Sequence, residues 1–489
     1  MINKKVLRFI LSLKIRQLRL KEGINLRQLA DRSGLSHSYL NEIEKGKKYP
    51  KIDKLIALAG ALRVTVDDLL SAKMGRSLHP LLQLLESDFA KDFPLDMFGI
   101  SDHDVMQLMA GEPEKFASFL VTLLEIARSY DMKIEDLQKA ALRAYQETND
   151  NYFPDIEKKA VEAREKWNLE LPITSEKLKA ILKKEYGYKI DEETLSSNEA
   201  SSGLRSVYKE KVTATLFINS ALDEAQKAFI FGQELGYHLL EHPRKSKSSF
   251  ETQLNDYRAS YFSGALLLDE TLFCRDLAKI FSKSSVAGDE FLELLNGCRV
   301  SSEVFMHRLT QLLPHHFKLN QLFFLRCNED YLDRNKSYYI SKELHLSQLH
   351  NPHGVNLHEH YCRRWITVWL LEELSKKMNE KSLNGLEVGL QRSKMVDNEN
   401  EYFCLSIARP SKIKKRTNSC LTVGILINQE FKDTVKFWND SGIINKEVGQ
   451  TCERCPIEDC SERVAVPTIH RSLERKKKEK IAVQEILNS

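Results

Sequence analysis

Three cysteines fall close together near the end of the chain, in Cys452-Glu453-Arg454-Cys455-Pro456-Ile457-Glu458-Asp459-Cys460. A C-x2-C-x4-C loop lets thiolate sulfurs converge on one metal, and both zinc and iron–sulfur clusters accept such ligands. Three local thiolates leave one position for a distant residue, a substrate or solvent. Cys362, within His358-Glu359-His360-Tyr361-Cys362-Arg363-Arg364-Trp365, is the leading candidate for the fourth, with Cys420 and His470 as alternatives. The bland alternative is a tail carrying reduced surface cysteines, but clustered exposed thiols are a chemical liability.

A second constellation is informative for what it lacks. Ala221–Leu240 reads as a helix whose body is Phe231-Gly232-Gln233-Glu234-Leu235-Gly236-Tyr237-His238-Leu239-Leu240, after a strand-like Ala214–Ile218 and before Asp256–Leu268. This layout resembles zinc-peptidase-like domains found beside repressor-type heads, where two histidines four apart grip zinc and the intervening glutamate activates water. Here the histidine positions hold Gln233 and Tyr237, and only Glu234 is kept. His238 lies one residue out, rotated by about 100° around a helix. The later carboxylate position falls on Arg258, with Asp256 nearby. The resemblance therefore implies a peptidase relic without hydrolytic activity. His307, in a capped helix beginning at Ser301, reads as a packing residue.

The third constellation is at the N-terminus. Asn25 and Gln28 form a capping-box pair, Gly34 supplies a turn, and Ser36 caps a helix expected over His37–Lys45 and stopped by Gly46. With a preceding helix ending at Gly23, a fourth over Ile52–Leu62 and a fifth opened by Thr65-x-x-Asp68, five short helices describe a helix-turn-helix domain. Leu29, Leu35, Leu40 and Ile43 would make its small core, while Ala30 and Gly34 let two helices cross closely. Ser36, His37, Ser38, Tyr39, Asn41 and Lys45 are then expected to face outward on the recognition helix, and Gln28 to anchor a phosphate; their types suit base edges and phosphates. The segment resembles the repressor-like helix-turn-helix family. The same bundle used for protein contact is the competing reading.

The elements around these sites set the frame. The chain has 489 residues, so several domains are expected. The formal charge is only +4, but residues 1–72 hold 15 Lys and Arg against 7 Asp and Glu, a basic head on a mildly acidic remainder. No signal peptide or membrane span is legible, and nine thinly spread cysteines suit a reducing cytoplasm better than a disulfide framework. Helical runs are expected at 80–89, 113–130, 134–147 and 155–167, and strands at 322–325, 337–340, 402–407 and 421–427, with a helix over Trp365–Met378. The fold class is thus multidomain: a five-helix head (1–72), a helical connector that also serves dimerisation (78–170), an α+β zincin-like middle domain (171–318) and an α+β C-terminal domain with an antiparallel sheet (319–489).

Together the head, the relic and the end motif (the three cysteines, then Arg463 and Pro467) resemble the short-chain fatty acyl transcriptional regulator family, which includes propionate- and glyoxylate-pathway regulators. The resemblance implies a cytoplasmic regulator, not an enzyme, acting on a double-stranded DNA operator as a homodimer. It further implies a C-terminal region that responds to a short-chain acyl-coenzyme A and holds a 4Fe–4S cluster, with zinc as the alternative. Two other classes compete: a repressor-cleaving metal endopeptidase, which would need the missing histidines, and an antitoxin-like scaffold with no small ligand.

Overall fold

The computed structural model describes residues 4–70, 122, 134–210, 213–246, 249–332, 335–346, 359–379, 385–411 and 417–488. The helical runs expected at 80–89 and, apart from residue 122, at 113–130 lie outside the described residues, as does His358. Two compact units are present, one of residues 1–145 with 245–254 and one of 146–244 with 255–489.

In the first unit, α1 (Lys4–Lys21), α2 (Leu26–Ser33), α3 (His37–Glu44), α4 (Ile52–Ala61) and α5 (Val66–Leu70) follow the expected order. Their apolar faces meet in one core of Leu11, Ile15, Ile24, Leu29, Ala30, Leu35, Leu40, Ile43, Leu55, Leu58, Ala59, Leu62 and Leu69. The helix after Ser36 is one residue shorter than expected: it ends at Glu44, and the Lys45 N–H caps it on the Asn41 and Ile43 carbonyls. Glu44 is drawn inward because the Arg19 guanidinium binds it through two contacts, 2.7 and 2.9 Å, tying α1 to α3.

In the second unit, α7 (Pro154–Lys166) and α8 (Ser175–Tyr186) follow α6 (Ile134–Thr148), which spans the boundary between the units. Strands β1 (Lys189–Asp191), β2 (Ser206–Lys209) and β3 (Thr215–Ile218) form a small sheet in the order β1-β3-β2. It is followed by α9 (Glu224–Leu239), α10 (Ser249–Leu267, with residues 255–267 in this unit), α11 (Glu270–Phe281), α12 (Gly288–Cys298) and α13 (Ser302–Phe317). Helices α9 and α10 cross so closely that a Cβ at Gly236 would meet the Ala259 carbonyl oxygen at 2.9 Å and its Cα at 3.1 Å. A fully buried Arg308 binds Glu157 at 2.7 Å, and Tyr261 donates to the same carboxylate, fastening α13 to α7 and α10.

The C-terminal sheet contains β4 (Leu322–Leu332), β5 (Asn335–His345), β6 (Glu387–Met395), β7 (Glu401–Pro410), β8 (Asn418–Leu426) and β9 (Ile444–Val448), in the order β5-β4-β8-β7-β6-β9. It is antiparallel except at its edge, where β9 pairs with β6 in parallel. Its helix, α14, runs Ile366–Asn379 rather than from Trp365. Alternation along the strands gives the sheet two different faces. Phe323, Leu325, Cys327, Cys404, Ala408 and Cys420 pack in one core with the α14 residues Leu370, Leu371 and Leu374. Phe324, on the opposite face, meets His307 of α13 with ring centroids 4.5 Å apart. A final helix, α15 (Thr468–Asn488), buries none of its residues.

Candidate functional sites: the recognition helix, the Glu234 site and the cysteine loop

The turn between α2 and α3 is built by local hydrogen bonds. Asn25 Oδ1 accepts from the Gln28 N–H at 2.9 Å while Gln28 Oε1 accepts from the Asn25 N–H at 2.8 Å, so both ends of the capping box are closed. Gly34 adopts φ +66°, a conformation that favours glycine, and ends α2. Ser36 Oγ then accepts from the Tyr39 N–H at 3.2 Å and starts α3. Of the residues expected to face outward, Gln28, Ser36, His37 and Ser38 are exposed, while Asn41 and Lys45 are partly so. Tyr39 is partly exposed as well: its ring packs on the core and carries Lys48 Nζ 5.7 Å above it. Gln28 spends its carbonyl oxygen on the cap, which leaves its amide nitrogen as the donor suited to a phosphate.

Around Glu234, the two positions at which the zinc-peptidase pattern has histidines make other hydrogen bonds. Gln233 Nε2 donates to Ser260 Oγ at 3.0 Å, and the Tyr237 hydroxyl donates to Asp256. Asp256, not Arg258, is the acidic residue that faces this site; Arg258 turns away to pair with Asp155 at 2.9 Å. His238, one residue beyond Tyr237 on the helix, lies against Tyr188, whose hydroxyl is 2.9 Å from His238 Nε2.

Glu234 is buried, and its partners are Tyr188, donating at 3.1 Å, and the guanidinium of Arg244. That guanidinium sits 3.8 Å from the Tyr208 ring centroid and 4.2 Å from that of Tyr237. A fixed organic cation thus faces the one carboxylate that the zinc-peptidase pattern retains. Burial pushes the Tyr188 hydroxyl up to about 12, so it stays a donor to Glu234. Burial also raises the Asp256 carboxyl, against the pull of Tyr237 and Arg244. Arg244 carries no motif signal, and its role was not legible in the sequence.

The cysteine loop is held from three sides. Arg463 donates to the carbonyl oxygens of Cys452 at 2.7 Å, Cys455 at 3.2 Å and Ala465 at 3.3 Å, and also to that of Ile457. Glu359 accepts from Thr451 Oγ1 at 2.6 Å and from Arg454 at 2.7 and 2.8 Å, while His360 Nδ1 lies 2.7 Å from Glu453. Tyr361 and Thr451 form an antiparallel bridge, with the Cys452 N–H donating to the His360 carbonyl at 2.9 Å. This pairing brings Cys362 beside the loop. The Cys362 sulfur accepts from the Gly449 N–H at 3.4 Å, and a Cβ on Gly449 would meet the Cys455 sulfur at 3.3 Å. Burial pushes the Cys362 thiol up to about 11, with neighbouring Cys455 and Cys452 adding to the rise.

Cys452, Cys455 and Cys362 are buried and Cys460 is half-exposed. Among the described residues, however, no three metal-ligating side chains converge closely enough to hold an ion. The donors are suited in kind to a thiolate-bound centre, but as arranged they do not enclose one. Cys420 belongs to the sheet core, opposite Cys327, and His470 lines a cleft of about 980 Å³ with Pro456, Asp459, Arg463 and Arg475.

Comparison with known proteins matches the two segments that carry the first two of these sites. Residues 15–69 match the family model for a helix-turn-helix, and residues 185–310 match that for an IrrE N-terminal-like domain. Two uncharacterized HTH-type transcriptional regulators from strains of Mycobacterium tuberculosis are each 44% identical over 53 residues, 11% of this chain and 38% of theirs. The HTH-type transcriptional regulator DdrOP3 of Deinococcus deserti is 35% identical over 57 residues, 12% of this chain and 44% of its own. The chain therefore spans 38–44% of the length of these curated relatives. A solved Mycobacterium tuberculosis transcriptional regulator overlays 67% of this chain and 93% of its own with a TM-score of 0.47 and 16% identity. Among the described residues no helix is long and apolar enough to cross a membrane. The chain combines a helix-turn-helix domain with an IrrE N-terminal-like domain and a C-terminal six-stranded sheet.

Proposed function

We propose that this protein is a cytoplasmic DNA-binding transcriptional regulator that acts as a homodimer on a two-fold related operator. The observation that carries this reading is the doubly capped α2–turn–α3 unit, which presents Gln28, Ser36, His37 and Ser38 to solvent on a rigid core. One such module reads a short half-site, and pairing two of them doubles the sequence that is read. Asn41 carries base preference and Lys45 a phosphate contact. Asn41→Ala relaxes base selection in this account, whereas Lys45→Ala weakens binding to all sequences and flattens its salt dependence. Fluorescence anisotropy on matched and scrambled duplexes separates the two, and equal loss of specificity from both changes would refute the assignment.

The IrrE-like domain acts in this proposal as a scaffold and not as a hydrolase. Its support is that Gln233 and Tyr237 replace the two histidines and that Arg244 engages Glu234. Cleavage of any protein substrate that depends on Glu234 would revive the peptidase reading.

The C-terminal domain is the sensory part of the proposal. By the resemblance to the short-chain fatty acyl regulators, it responds to a short-chain acyl-coenzyme A, and Cys452, Cys455, Cys460 and Cys362 hold a 4Fe–4S cluster, with zinc as the alternative. The Gly449-centred grouping of Cys362 and Cys455 supports the choice of fourth ligand. When bound, such a centre supplies a redox-sensitive or structural crosslink between the 359–365 run and the loop. Iron, sulfide and zinc analysis of anaerobically purified protein tests it. One tightly held zinc would reject the cluster, and metal-free protein with unchanged stability in the triple-serine variant would reject both.

A further inference from the structure

Glu303, the second residue of α13, has a side chain only 10% exposed and is surrounded by four cations. Lys342 Nζ lies at 2.6 Å, Arg409 at 3.1 Å, and Arg326 and Arg205 each at 3.4 Å. Arg326 of β4 is directly opposite Lys342 of β5 and Leu421 of β8, and Leu421 is opposite Ile407 of β7. Arg409, two residues beyond Ile407, therefore shares their sheet face. Three strands aim their basic side chains at the start of one helix, and Arg205 joins them from the segment before β2.

One carboxylate needs about one cation. Burial alone would raise the Glu303 carboxyl, but Lys342, Arg326, Arg205 and Arg409 together hold it well below the usual range. Asp223 adds a second negative charge near Arg409, and the cluster still keeps an excess of two positive charges. Strands hold these charges close together although Arg326 and Arg205 disfavour the charged form of Arg409. Two donors are also unused. The hydroxyl of Ser302, a residue 4% exposed beside Glu303, has no hydrogen-bond partner, and neither has Arg326 Nε. The positive end of the α13 dipole adds to the same field.

We propose that this cluster binds the phosphate group of a small anionic ligand. Lys342 and Arg205, whose side chains are 51% and 43% exposed, form its mouth, and Arg326 and Arg409 form its floor. Guanidinium forks match tetrahedral oxyanions, and a multiply charged phosphate offers enough acceptors to meet several of them together. The recessed floor, with Arg409 12% exposed, favours a small molecule over the backbone of a duplex. The inference is independent of the acyl-coenzyme A and metal proposals, because it rests on charge and unmet donors alone.

The test is calorimetric titration of the full chain with inorganic pyrophosphate at constant ionic strength. The expected result is one saturable site, weakened by about tenfold or more in Lys342→Gln and in Arg205→Gln, each the loss of one charge-assisted contact. Both side chains are half-exposed, so these variants keep the fold. Three results would overturn the proposal: no saturable binding, an affinity in both variants equal to that of the unaltered chain, or a random duplex losing affinity in the variants where pyrophosphate does not.

Discussion

Arg244→Ala removes the cation from Glu234 and tests whether the two side chains form a structural ion pair. The Glu234 side chain is 5% exposed and that of Arg244 20%, so the pair is largely dry. Breaking a buried pair by removing one partner costs about 3–5 kcal/mol. Tyr188 still donates to the carboxylate at 3.1 Å, which offsets about 1 kcal/mol of that cost. Loss of the guanidinium from the rings of Tyr208 and Tyr237 adds about 1 kcal/mol for each. The expected net loss at pH 7 is about 4–6 kcal/mol.

The sign of its pH dependence follows from linkage. An unpaired buried carboxyl binds its proton more tightly in the folded chain than in the unfolded one. Stability of the variant therefore recovers as pH falls, and by about pH 4 its deficit shrinks to the lost ring contacts, about 2 kcal/mol. Glu234→Gln combined with Arg244→Ala should show that smaller deficit at every pH. Amide hydrogen exchange over residues 224–239, measured in the full chain at pH 4.5 and pH 7, reads this local stability. A deficit below about 1 kcal/mol at pH 7, or one equal at both pH values, would refute the reasoning.

Three further outcomes are expected. Gly236→Ala forces a Cβ to within 2.9 Å of the Ala259 carbonyl and should lower stability by about 1–3 kcal/mol in thermal unfolding, because backbone must shift. Burial, with Lys342 beside it, depresses His307 from 6.5 to about 4, so the unfolded chain takes up a proton first as pH falls and stability declines through that window by at most about 3 kcal/mol. In His307→Phe the urea midpoint should lose that slope between pH 6.5 and 4. Arg463→Ala frees the carbonyls of Cys452 and Cys455 and should speed labelling of these buried thiols by a disulfide reagent; an unchanged rate would show that Arg463 does not hold the loop.

The helix-turn-helix was legible because its signals are local. Asn25, Gln28, Gly34 and Ser36 each act within four residues, and the capping box and turn form as those residue types require. The strands at β4, β5, β7 and β8 were legible from aromatic and β-branched runs. Edge strand β9, Ile444–Val448, and its neighbour β6, Glu387–Met395, were not, because charged side chains and Gly389 break their pattern. Gly389 is there because a Cβ would meet Ile366 of α14 at 2.8 Å, a constraint visible only in three dimensions. Around Glu234, the missing histidines could be read directly, but not the cation that faces it. Arg244 lies ten residues beyond Glu234 in a polar stretch and returns through the chain reversal after α9. The roles of Glu359 and His360 as supports of the cysteine loop were hidden in the same way, since each acts through a contact with a loop residue far along the chain.

If α3 reads DNA as proposed, the full chain selects a preferred sequence from a pool of random duplexes. Enrichment of a two-fold related sequence, with half-sites about 10 base pairs apart centre to centre, is the predicted result. A His37→Glu, Asn41→Glu variant, which puts two negative charges on the groove-facing side while leaving the Leu29, Leu40 and Ile43 core untouched, should lose that enrichment. Failure to enrich any sequence, or enrichment that survives both substitutions in a folded chain, would contradict the account.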